Sequence, residues 1–87
     1  MSAEIGAKIG QLLGIAPVIP DPTLETAMRV LEQMRVAGYG VNIHSLGEDW
    51  TVFFQTPGGD NDFLGGVRCK SLVESICRSA LVAVGQE

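Results

Sequence analysis

The stretch Val41–Gln55 (VNIHSLGEDWTVFFQ) constrains the fold of this chain more than any other, because it reads as a β-hairpin with apolar side chains on both faces. On its first strand Val41, Ile43 and Ser45 point one way, and Asn42, His44 and Leu46 the other. After a Gly47-Glu48-Asp49 turn, Trp50, Val52 and Phe54 alternate with Thr51, Phe53 and Gln55. A two-stranded ribbon is not stable alone in water, so the flanking segments must pack on it. A second apolar face left wet would expose an aromatic patch, and an N-terminal helix, a second copy of the chain or a ligand is expected to cover it.

Both flanks carry helical patterns. Leu24, Ala27, Met28, Leu31 and Met34 follow three-and-four spacing. Asp21 is the expected N-cap of that helix, Pro22 its first residue and Gly38 its stop. The closing segment opens with a capping box, Ser71 and Glu74, and carries Leu72, Val73, Ile76, Cys77, Ala80, Leu81 and Val84 as a broad apolar stripe. Ahead of both, Ile5, Ile9, Leu12 and Leu13 make a weaker helix, with Ser2 as its cap and Gly14 as its stop. Residues 15–22 hold three prolines and read as an extended connector, which separates an arm at 1–19 from a domain at 20–87. Phe63–Lys70 reads as a third strand, in which Gly65-Gly66 marks a bulge or a close approach of another backbone or ligand. The expected fold class is therefore α+β, a small α/β sandwich of order α-α-β-β-(β)-α with an antiparallel two- to three-stranded sheet.

Composition narrows the function. A chain of 87 residues buries a modest core, so oligomerisation is an expected source of added stability. The net charge of −4 argues against duplex nucleic acid and anionic membranes as partners, both of which need a positive field. No run approaches the roughly 18 apolar residues of a membrane span. Cys69 and Cys77 fit reduced thiols in a cytoplasmic compartment, and a single histidine leaves no zinc-type cluster, so neither metal nor cofactor is expected. Asp60, Asn61 and Asp62 lack the downstream glutamate of a calcium loop and read as a solvated turn. GGVRCKS lacks the spacing of a phosphate loop, and His44 has no serine or cysteine partner legible in the sequence. What remains is an aromatic and basic set, Tyr39, Trp50, Phe53, Phe54, Arg68 and Lys70, and the candidates drawn from it together with the one histidine are Tyr39, His44, Trp50, Phe53, Arg68 and Lys70. Rings of this kind stack on bases, and guanidinium or ammonium groups meet phosphate, so these six are the candidate ligand-binding residues.

The segments PDPTLETAMRVLEQMRVAGYGVNIHS, DWTVFF and SLVESICRSALVAV, in that order, resemble the small phage ABA sandwich domain family over about Pro20–Val84. The resemblance implies a phage origin, the host bacterial cytoplasm and an α/β sandwich, and it assigns no catalytic residue. Together these features lead to the expectation of a non-enzymatic homo-oligomer that sequesters a nucleotide-derived host immune signal, with a pocket between subunits lined by the aromatic set. The alternative is a protein-binding inhibitor or oligomeric scaffold using the acidic residues Glu48, Asp49, Asp60 and Asp62.

Overall fold

Alternation in the hairpin is realised as three antiparallel strands in the order β1-β2-β3, with Gly40–Leu46 as β1, Asp49–Gln55 as β2 and Phe63–Cys69 as β3. The computed structural model describes residues 3–14, 22–59 and 62–85. Helices Ala3–Leu12 (α1), Leu24–Val36 (α2) and Leu72–Ala83 (α3) complete the order α-α-β-β-β-α, a small α+β sandwich. The hairpin turn is shorter than expected: Leu46 pairs with Asp49, leaving Gly47-Glu48 alone as a two-residue turn.

Directly opposed residues of an antiparallel pair share a face, so the register sorts the sheet into two sides. Ile43 opposite Val52, Val41 opposite Phe54 and Ser45 opposite Trp50 form one side, continued on β3 by Val67 and Cys69. Val52 and Phe54 on this side are fully buried in one core with Ile76, Cys77, Ala80 and Leu81 of α3 and Ala27, Val30 and Met34 of α2. Helix α3 lies across β2 and β3, while α2 packs against α3 and touches the sheet at β1. Ile5 and Ile9 bring α1 into the same core against α3, so this helix adds to the covered side and does not shield the other.

Two expectations about α2 are corrected. Its N-cap is Thr23, whose side-chain oxygen accepts from the Thr26 N–H at 3.3 Å, so Pro22 precedes the cap; Asp21 lies outside the described residues, as do Ser2, the connector at 15–20 and Asp60 with Asn61. Its buried row is Ala27, Val30 and Met34, with Leu31 partly buried, and Leu24 and Met28 are 59% and 54% exposed. Apolar residues run around more than half of this helix, and α3 takes the side that includes small Ala27 and Val30. Ser71 caps α3 as expected, accepting the Glu74 N–H at 3.2 Å.

The third strand is regular except at one point. Val67 pairs with Val52 but Gly65 pairs with Phe53, so Gly66 is an extra residue and the strand bulges there. Both glycines have left-handed backbone, with φ +90° and +72°. Alongside the bulge, α3 supplies hydrogen bonds to the strand: Ser75 Oγ donates to the Val67 carbonyl at 2.7 Å, and the Val67 N–H donates to Ser79 Oγ at 3.1 Å. These two serines are the buried polar residues of the described chain, and the paired geometry satisfies them.

Candidate functional site

The side of the sheet away from the helices carries Asn42 and His44 from β1, Thr51 and Phe53 from β2, and Phe63 and Arg68 from β3. In rows across the three strands, His44, Thr51 and Arg68 stand abreast, then Asn42 and Phe53 beside the Gly65-Gly66 bulge, where Gly66 faces Phe53 and Gly65 faces α3, then Gly40, Gln55 and Phe63. Phe53 sits at the centre. His44 meets it edge to face at 5.7 Å between centroids, and Phe63 does the same at 6.4 Å. The three rings line an open depression of about 280 Å³. Phe63 is 54% exposed, a large apolar surface left toward solvent.

Gly66 makes this arrangement possible. A Cβ there would stand 2.7 Å from Phe53 Cε1, so the ring lies where only a glycine leaves room. The bulge has a second effect. Strict alternation from Arg68 would place Phe63 on the helix side; the extra residue carries it to the open face beside Phe53. Phe63 is thus a site residue absent from the sequence-based set, and the Gly65-Gly66 pair was the one signal that pointed to it.

Of the six sequence candidates, His44, Phe53 and Arg68 share the open face. Tyr39 and Trp50 do not. Tyr39 packs on the core, edge to face with Phe54 at 6.5 Å, and Trp50 lies on the helix side between Ser45 and Cys69. Their alternation partners explain the division: Trp50 shares parity with buried Val52 and Phe54, Phe53 does not. Lys70 is exposed just beyond β3, next to the α3 cap. Arg68 Nε donates to Asp49 Oδ2 at 2.7 Å, an exposed pair that engages one of the guanidinium donors and leaves others for an anion. The same bond pairs Asp49, one of the four acidic residues Glu48, Asp49, Asp60 and Asp62 expected to form a protein-binding surface.

The thiols are poorly placed for nucleophilic chemistry. Burial, reinforced by the neighbouring Glu74, pushes both Cys69 and Cys77 up to about 11. Iodoacetamide at pH 8 is therefore expected to alkylate each in the folded protein at least ~100-fold more slowly than in the urea-unfolded chain, as followed by mass spectrometry. Labelling of either thiol at the unfolded rate would contradict this placement. Among the described residues no group of three or more His, Cys, Asp or Glu side chains could hold a metal ion, and no helix is long and apolar enough to cross a membrane.

The fold and face together define a class: a two-layer α+β domain whose sheet presents an aromatic surface beside Arg68 that no helix among the described residues covers. Comparisons with protein-family models, with curated proteins and with solved structures find no match to this chain.

Proposed function

We propose that the open face binds a planar, nucleotide-like anion and holds it without chemical change. The observation that carries this reading is the adjacency of the His44-Phe53-Phe63 depression to Arg68, one row away on the same face. A base stacks on the aromatic surface and its phosphate meets the free donors of Arg68, with exposed Lys70 as a further cation at that end. Raised thiol pKa values and a lone histidine support retention of the ligand over turnover. In the phage setting that the sequence resemblance implies, such binding is sequestration of a nucleotide-derived immune signal in the host cytoplasm. Isothermal titration with cyclic dinucleotides and ADP-ribose-type ligands is expected to give saturable heat. Phe53→Ala and Arg68→Ala are each expected to weaken it roughly 10-fold or more, from the ~1–3 kcal/mol that one stacked base is worth and a comparable charge-assisted bond. Absence of heat with every ligand rejects the reading.

A second reading, a protein-binding inhibitor or scaffold, draws on exposed Phe63 and Leu46, which suit a protein surface as well as a base. It predicts binding that the Arg68→Ala substitution leaves nearly intact, since a rim charge contributes little to such an interface.

A further inference from the structure

We infer that the free edge of β1 is the interface of a symmetric dimer, in which two copies join their sheets into one. The two edges of the sheet differ. At β3 the bulge breaks regular pairing, and the N–H and C=O of Val67 are already taken by Ser79 and Ser75 of α3. Among the described residues no strand pairs with the outer edge of β1, and the strand itself lacks the usual protections: GVNIHSL contains no proline and no lysine, aspartate, glutamate or arginine, and its register against β2 is unbroken over Gly40–Leu46. Its outward backbone groups form a template for another strand. Val41 and Ile43 are 37% and 44% exposed even though they point to the helix side, because α3 lies over β2 and β3 and α2 meets β1 only lightly.

A second copy is the occupant this strand fits. Antiparallel self-pairing with full overlap of Gly40–Leu46 places Ile43 opposite the partner's Ile43, and Asn42 opposite the partner's His44. On the helix side Ile43 meets its own copy and Val41 faces the partner's Ser45, on the open side Asn42 faces the partner's His44 and Gly40 the partner's Leu46, and no charge opposes a like charge despite a net charge of −4 per chain. The joined sheet has six strands, with both α2 helices on one side and both aromatic depressions on the other. His44 of each copy then stands beside Asn42 of its partner, so each depression is bordered by a side chain from the other chain.

Light scattering after size exclusion, without ligand, tests this independently of any nucleotide. At about 100 µM the chain is expected to run at twice its 9.2 kDa mass. Ile43→Lys, which sets two ammonium groups against each other at the axis, and Val41→Lys are expected to give monomers with unchanged circular dichroism. Phe63→Lys, on the open face and away from the edge, is expected to remain dimeric. A monomeric parent chain overturns the inference, and so does a dimer that survives both edge substitutions or is broken by Phe63→Lys alone. Should Ile43→Lys fail to fold, Val41→Lys decides.

Discussion

Phe54→Ala is expected to remove about 3–5 kcal/mol of stability, while Phe53→Ala, one residue earlier on the same strand, is expected to remove only about 1 kcal/mol. Phe54 is fully buried at the centre of the core, opposite Val41 and Leu64, with Tyr39 edge-on to its ring. Truncation there leaves a cavity that the surrounding side chains fill only in part. Phe53 faces solvent across the depression and gives up two edge-to-face contacts, with His44 and Phe63. For a domain of this length, total stability is of order 4–13 kcal/mol, so the first variant is expected to be marginally folded and the second readily measurable. Urea denaturation followed by circular dichroism reads both. The reverse ranking would mean that the helices cover the Phe53 side, which would void the assignment of the open face.

That ranking also shows how far the hairpin could be read from residues alone. Period-two alternation separates Trp50, Val52 and Phe54 from Thr51, Phe53 and Gln55 without ambiguity, and both helices with strong stripes are where the spacing puts them. Alternation does not say which set the helices take, because each set contains a phenylalanine. Tyr39 and Trp50 joined the candidate site on residue type, and their placement on the helix side of the sheet, where each is half-buried, removed them. On α2, apolar Leu24 and Met28 were as eligible for the core as Val30, and only the position of α3 decides between them. Phe63 depends on a register shift at the point where Gly65 packs against α3, a tertiary contact with no local sequence period.

The two glycines of the bulge are expected to respond differently to alanine, and the difference connects fold to site. At Gly65 a Cβ would stand 2.8 Å from Ser79 Cβ and 2.9 Å from the Ser79 carbonyl oxygen, so the obstacle is the backbone of α3. Relief requires the helix to lift, which also stretches the Ser79 and Ser75 bonds to Val67. With the left-handed φ of +90° added, Gly65→Ala is expected to cost about 2–5 kcal/mol. At Gly66 the obstacle is the tip of the Phe53 ring, which can rotate away, so Gly66→Ala is expected to cost about 1–2 kcal/mol, mostly from its φ of +72°. Its larger effect falls on the site: a displaced Phe53 loses its edge-to-face geometry with His44 and Phe63, and ligand heat is expected to fall to the level of Phe53→Ala. Thermal or urea unfolding ranks the two variants, and titration of folded Gly66→Ala separates stability from binding. Equal destabilisation with unaltered binding would mean that Phe53 is not held by the bulge, and the open face would then owe its aromatic cluster to something other than the register shift at Val52/Phe53.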